Sequence, residues 1–168
     1  MARKKAGSEA ASSKDKPSAY DKAMGLLVRR EQSERELKTK LDRSGYSNDE
    51  SAAAIDSLQS QKYQSDSRFA EMLARSRSAN GYGPRRISAE LKSHGVSDAE
   101  ISAAINELDC DWRDLARRQM QRHYGRKAAA DAKERSRRAA YLLRRGFDAA
   151  TVSVLTRADI GDPGDEFD

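Results

Sequence analysis

The 168-residue sequence predicts an all-α fold of three tandem three-helix repeats, about nine helices with no strand candidate. Two observations carry this reading. First, three segments end in glycine, one bulky apolar residue and a helix-capping residue: Gly45-Tyr46-Ser47, Gly95-Val96-Ser97 and Gly146-Phe147-Asp148. The glycines lie 50 and 51 positions apart, and each has a leucine four residues earlier, Leu41, Leu91 and Leu142. A near-constant period of this length marks one supersecondary unit copied in tandem, each copy burying its apolar face against its neighbours. Second, apolar positions superimpose from copy to copy. Leu37 and Leu41 match Ile87 and Leu91, eight and four residues before their glycines, while Ile55 and Leu58 match Ile105 and Leu108, ten and thirteen after. Spacing of i, i+3, i+4 buries one stripe per helix.

Residues 1–18 are small, polar and basic, with Pro17 near their end, and read as a disordered basic tail. Repeat 1 (19–63) opens with a helix from Tyr20 to about Glu31, carrying Met24, Leu27 and Val28 inward. Its second and third helices start at Ser33-x-x-Glu36 and Ser47-x-x-Glu50. These are capping boxes, in which Ser accepts a first-turn N–H and Glu reaches back to the cap N–H. Repeat 2 (64–109) opens on Phe69, Met72 and Leu73. It continues at Gly83-Pro84, where proline's missing N–H costs nothing at the first helical position, and ends on the box Ser97-x-x-Glu100. Repeat 3 (110–158) opens on a seam of Trp112, Leu115, Ala116, Met120 and His123, and Asp148 caps its last helix. Gly45, Gly95 and Gly146 suit the left-handed residue that follows a helix and turns the chain away. In the third copy Arg138 and Thr156 stand where Leu or Ile is expected, which predicts a rotated or weaker core there. Residues 159–168 are acidic, broken by Pro and Gly, and read as a flexible tail.

Hydrophobic residues are 37% of the chain against 35% charged and 6% aromatic, so the helices are mostly half-exposed around a thin core. The net charge of +5 is unevenly spread. Residues 19–110 are nearly neutral, residues 111–145 hold 12 basic against 4 acidic side chains, and residues 146–168 hold 1 against 6. The basic stretch focuses a positive potential suited to phosphates or an acidic protein surface, or else is a solvated helix face. A single cysteine, Cys110, excludes an internal disulfide and fits a reducing compartment. With no apolar leader and no stretch of about 20 apolar residues, the chain reads as cytoplasmic with no membrane contact.

Catalysis needs a nucleophile with its base, paired carboxylates or a metal in a concave site. Cys110 lies between Asp109 and Asp111, which raise a thiol's pKa. His94 stands at a helix end, where an imidazole caps carbonyls, and His123 lies on the apolar face. Neither pairs with a motif, so no catalytic, cofactor or metal site is expected, and the chain does not read as an enzyme. Gly81-Tyr82-Gly83-Pro84 has no strand before it and reads as a helix connection rather than a phosphate loop.

The remaining signal is basic residues beside aromatics: Arg75, Arg77, Tyr82, Arg85 and Arg86 in repeat 2, and Arg113, Arg117, Arg118, Arg122, Arg126, Lys133, Arg137, Arg144 and Arg145 in repeat 3. Arginine outnumbers lysine there, which favours bidentate contact with phosphate or carboxylate. Tyr82 either packs in its loop or stacks on a base.

The pattern Tyr82-Gly-Pro-Arg-Arg-Ile87-x-x-Glu90-Leu91-x-x-x-Gly95-Val96 resembles the RecX family, bacterial regulators of the RecA recombinase. So do Arg30-Glu31-x-Ser33-x-x-Glu36-Leu37-x-x-Lys40-Leu41 and Tyr141-Leu-Leu-Arg-Arg-Gly146-Phe147. The three matches fall in order over about residues 19–157. The resemblance implies an elongated, curved array lying in the groove of the RecA filament on DNA. There it would inhibit ATPase, strand exchange and the coprotease activity that triggers the SOS response. It also implies DNA binding, single- or double-stranded, which a charge-driven contact makes weak and salt-sensitive, by a protein that reads as a monomer. The alternative is an autonomous helix-turn-helix-like DNA-binding regulator. Against it, the helices after the three glycines begin Asp49-Glu-Ser-Ala, Asp98-Ala-Glu-Ile and Ala149-Ala-Thr-Val, poor in base-reading side chains.

Overall fold

The computed structural model describes residues 16–158, and among them nine helices form in three groups of three, with no strand. The first group holds α1 (Ala19–Leu27), α2 (Glu34–Arg43) and α3 (Asn48–Ser60). The second holds α4 (Asp66–Ala79), α5 (Pro84–Ser93) and α6 (Asp98–Asn106), and the third α7 (Trp112–Tyr124), α8 (Ala132–Arg145) and α9 (Ala149–Ala158). In each group all three helices pack on one another. The tails expected at 1–18 and 159–168 lie outside the described residues, apart from Lys16 to Ser18.

Capping chemistry starts the helices where the sequence places it. Ser33, Ser47 and Ser97 are extended, and their hydroxyls accept the N–H of Glu36, Glu50 and Glu100 at 3.1, 3.2 and 3.3 Å. Glu50 and Glu100 return the bond to the Ser47 and Ser97 N–H. The third expected box is half formed, because Glu36 turns to Arg30 and to Lys40. A cation within reach outcompetes a neutral N–H for a carboxylate. Pro84 opens α5 and Asp148 accepts the Thr151 N–H at 2.9 Å. Gly45, Gly95 and Gly146 take φ of +79°, +83° and +91°. The opening helix is shorter than expected. It stops at Leu27, and Val28, expected inside, is 80% exposed. Residues 29–32 cannot continue the helix into Ser33, whose capping role demands extended backbone, φ −70° and ψ 156°.

Each group closes its own core. Leu41, Leu91 and Leu142 are fully buried, as are Leu37 and Ile87 one turn earlier, and the residues after the glycines, Tyr46, Val96 and Phe147, are buried behind them. Each such side chain contributes roughly 1.5–3 kcal/mol by leaving water. Trp112 packs against both the second and third cores. In the third core Arg138 occupies the slot of Leu37 and Ile87 at 2% exposure. Its stem fills the slot, while its guanidinium donates to the Lys127 carbonyl at 2.9 Å and to Glu134 at 2.6 Å beneath the Tyr124 ring. The apolar core persists around it, with Phe147, Val152 and Leu155 at 1, 3 and 6% exposure, and Thr156 returns its hydroxyl to the Val152 carbonyl at 2.9 Å. His123, expected in the seam, is exposed and stacks on Tyr141 at 4.4 Å. His94 caps no carbonyl through its ring but packs on Phe69, centroids 5.0 Å apart.

Candidate partner interface

The fourteen sequence candidates divide by what their charge already meets. Arg77 holds Glu90 through two bonds of 2.8 and 2.6 Å, Arg75 holds Glu71 at 2.9 Å, and Arg117 and Arg118 share Asp114 at 3.2 Å each. The Arg77 hydrogen bond keeps the Glu90 carboxyl below its ordinary pKa, and Glu90 in turn raises that of Arg77. These four arginines therefore add little net charge to the surface. By contrast Arg85, Arg86, Arg113, Arg122, Arg126, Lys133, Arg137, Arg144 and Arg145 have no carboxylate within ion-pair distance among the described residues.

Four of these nine are brought together by the joint between the second and third groups. The Gly83 N–H donates to the Arg145 carbonyl at 2.8 Å, and the Arg85 N–H to the Gly146 carbonyl at 3.0 Å. The start of α5 thus takes the orphan carbonyls at the end of α8, joining the positive end of one helix dipole to the negative end of the other. Glycine is needed on both sides. A Cβ on Gly146 would lie 2.4 Å from Arg86 Cβ, and one on Gly83 would lie 2.4 Å from the Gly146 carbonyl oxygen. This close approach sets Arg85 and Arg86 of α5 beside Arg144 and Arg145 of α8. Arg86 Nη1 donates to the Arg144 carbonyl at 3.3 Å, while Arg145 donates to the Asn80 carbonyl and the Tyr141 hydroxyl, each at 3.2 Å.

Tyr82 is the aromatic plate of this cluster. The Arg86 and Arg145 guanidiniums lie over its ring, 4.5 and 4.8 Å from the centroid, and it lines a cavity of about 730 Å³ with Arg77, Asn80, Arg86, Ala89 and Glu90. Its ring is thus engaged by cation–π contacts with two guanidiniums. The other candidates are not gathered here. Arg113, Arg117, Arg118 and Arg122 are exposed along α7, Arg126 lies in the loop after it, and Lys133 and Arg137 are exposed on the first half of α8. Sequence reasoning missed the ring group of His123, Tyr124 and Tyr141, because its members come from two helices. The i, i+4 spacing of Tyr141 and Arg145 was its one visible signal.

Nothing in the geometry prepares a nucleophile. Burial pushes the Cys110 thiol up, and Asp111 and Asp109 push it further. No group of three or more His, Cys, Asp or Glu among the described residues could hold a metal ion, and no described helix is long and apolar enough to cross a membrane.

Comparison with known proteins agrees with this architecture. Three family models match in order: the first three-helix domain of RecX over residues 19–58, the second over 65–105 and the third over 110–153. "Regulatory protein RecX" of Xanthomonas oryzae pv. oryzae is 42% identical over 141 residues, covering 84% of this chain and 87% of its own length. The protein of the same name from Stenotrophomonas maltophilia is 41% identical over 141 residues, covering 84% and 86%. The crystal structure of RecX from Lactobacillus salivarius shares the fold with a TM-score of 0.71 at 19% identity, covering 83% of this chain and 92% of that one. With all three domains matched in order and such identity over most of its length, the chain belongs to the RecX family of regulatory proteins.

Proposed function

We propose that this protein regulates DNA recombination and repair by lying in the groove of the RecA–DNA filament. There it inhibits RecA ATPase, strand exchange and the coprotease activity behind the SOS response. It acts in the cytoplasm, as a monomer, through binding rather than turnover. The observation that carries this reading is the joint cluster: Arg85, Arg86, Arg144 and Arg145, unopposed by carboxylates among the described residues and held by backbone bonds across two groups. Guanidiniums gathered on one backbone-bonded edge suit phosphate oxygens or carboxylates, and the contacts that already hold those of Arg86 and Arg145 spare part of the entropy of ordering side chains on binding. If the cluster neutralises about four phosphates of single-stranded DNA, affinity falls by between roughly one and two decades from about 50 to 200 mM salt.

The test is RecA's DNA-dependent ATPase with wild type and with Arg85→Glu/Arg144→Glu. These two side chains are exposed and make no ion pair among the described residues, so helicity is expected to be retained. Inhibition should weaken at least tenfold in the double variant, whereas Arg117→Glu/Arg118→Glu, whose positions face Asp114, should change it less. Equal inhibition by wild type and the Arg85/Arg144 variant would remove the cluster from the mechanism. A wild type that leaves the ATPase untouched at stoichiometric amounts would overturn the reading itself.

A further inference from the structure

The rings of His123, Tyr124 and Tyr141 extend the joint cluster into a ladder in which guanidiniums and aromatic planes follow one another. Arg86 and Arg145 lie over the Tyr82 ring, and Arg145 also lies 5.5 Å from the Tyr141 centroid. Tyr141 in turn stacks on His123, with centroids 4.4 Å apart and planes 7° from parallel. His123 ends the ladder: it is exposed, and one of its faces lies on Tyr141. Tyr124 stands edge-on to both rings, 4.6 Å from His123 and 5.7 Å from Tyr141. A ring on the far face of His123 would lie about twice the stacking distance from Tyr141, so Tyr124 flanks the stack and does not cover the outer imidazole face. The plate is also held from behind. The buried Arg138 guanidinium lies 5.3 Å from the Tyr124 centroid, the Tyr124 hydroxyl donates to the Arg137 carbonyl at 3.3 Å, and Arg145 Nε donates to the Tyr141 hydroxyl at 3.2 Å.

Cations frame this plate. Arg137, Tyr141 and Arg145 follow one another at i, i+4 spacing on α8, which sets a guanidinium one turn to either side of the stack. On α7, Arg122 directly precedes His123. Arg122 and Arg137 are exposed and have no carboxylate within ion-pair distance among the described residues. A flat aromatic face among unopposed guanidiniums matches a single nucleic-acid strand, whose bases offer π-faces and whose backbone is anionic. A duplex keeps its base faces inside its own stack, and an acidic peptide would satisfy the guanidiniums but leave the plate unused. We propose that the His123–Tyr141 plate is a stacking site for an unpaired nucleobase, with Arg122 and Arg137 on the flanking phosphates. This rests on the reading above only in taking DNA as a ligand of this edge. It gives that edge a preference for single strands over duplex, which phosphate contacts at the joint do not by themselves supply.

The test is fluorescence anisotropy of the full chain, without RecA, on labelled oligothymidylate, an abasic strand of equal length and a duplex. Wild type should bind oligothymidylate at least about fivefold more tightly than the abasic strand, the factor that one stacked base contributes. His123→Ala should bring oligothymidylate down to the level of the abasic strand while leaving the abasic strand and the duplex unchanged. His123→Trp, which keeps an aromatic plate without an imidazole, should restore the preference. His123 is exposed, so both variants should keep the helicity of wild type, which circular dichroism checks. A wild type that binds the two single strands equally overturns the proposal, and so does a loss in His123→Ala that is the same on both. Polyglutamate binding that falls in His123→Ala as far as oligothymidylate binding also overturns it, because the occupant is then an acidic protein segment. The RecA reading is judged separately, by wild-type inhibition of the ATPase, which none of these binding results decides.

Discussion

Between the first and second groups Arg68 reaches Glu31 at 2.8 Å, Gln64 donates to the Gln32 carbonyl at 3.2 Å, and the Glu34 N–H donates to the Asp66 side chain. A polar cavity of about 510 Å³ lies among these residues, bordered also by Gln59, Lys62 and Glu100. Between the second and third groups stand two backbone hydrogen bonds, the Gly83–Gly146 contact and the shared Trp112, and the cavity beside Tyr82 is lined by second-group residues alone. The two joints serve the same topological purpose with different materials. Apart from the Gln64 N–H on the Leu58 carbonyl, between residues close in sequence, each bond named across the first joint uses a side chain that can rotate away at low cost, whereas the second is held by backbone on backbone. The second joint is therefore the stiffer of the two, and Arg85, Arg86, Arg144 and Arg145, four of the nine unopposed basic residues, sit there.

The largest effect that tests this contrast comes from two matched substitutions. Gly146→Ala puts a Cβ 2.4 Å from Arg86 Cβ and 2.5 Å from its backbone nitrogen, at φ +91°. It should cost about 3–4 kcal/mol through left-handed strain and loss of the backbone bonds across the joint. Gly95→Ala meets only the flexible Arg35 side chain at 3.3 Å, at φ +83°, so it should cost about 1–2 kcal/mol, the strain alone. Urea denaturation gives both values, and equal losses would dissolve the distinction between the joints. A smaller effect of opposite sign is expected at Lys62, which borders the first joint in a left-handed conformation, φ +61°, that glycine adopts freely. Lys62→Gly should stabilise by about 0.5–1 kcal/mol in the same measurement, and a loss of stability would show that the side chain does more than endure strain. The smallest effect concerns the Arg68–Glu31 pair, whose side chains are 42% and 28% exposed. Glu31→Gln, which leaves the Arg68 bonds to the Lys62 and Tyr63 carbonyls in place, should cost about 0.5 kcal/mol at low salt and less at high salt, with the joint's amides exchanging faster while those around Gly83 stay protected.

Local chemistry is legible in the residue order alone. The serine caps, Pro84, the three glycines and the leucines before them each act through neighbours within one or two turns, so spacing alone places them, and nine helices form as expected among the described residues. Expectation and structure part where a residue has a choice of partners. Glu36 prefers Arg30 and Lys40 to the Ser33 N–H, and Val28 leaves the core because the chain must straighten before Ser33. Arg138 can fill a leucine's slot because the Lys127 carbonyl and Glu134 come to it, which no apolar pattern reveals.

The same reasoning divides the interface. Sequence by itself determined the arginine-rich composition, the repeat and the helix on which each candidate lies, since these follow from residue type and helical period. The pairing of Arg75 with Glu71 and of Arg117 and Arg118 with Asp114 follows from helical period as well, at i,i+4 and i,i+3, whereas the pairing of Arg77 with Glu90, 13 positions on, was decided by the tertiary structure. So was the meeting of Arg86 with Arg144, 58 positions apart, because it depends on two glycines letting a helix start dock on a helix end. Electrostatic pairing falls steeply with distance, and distance between residues remote in sequence is set only when the groups pack.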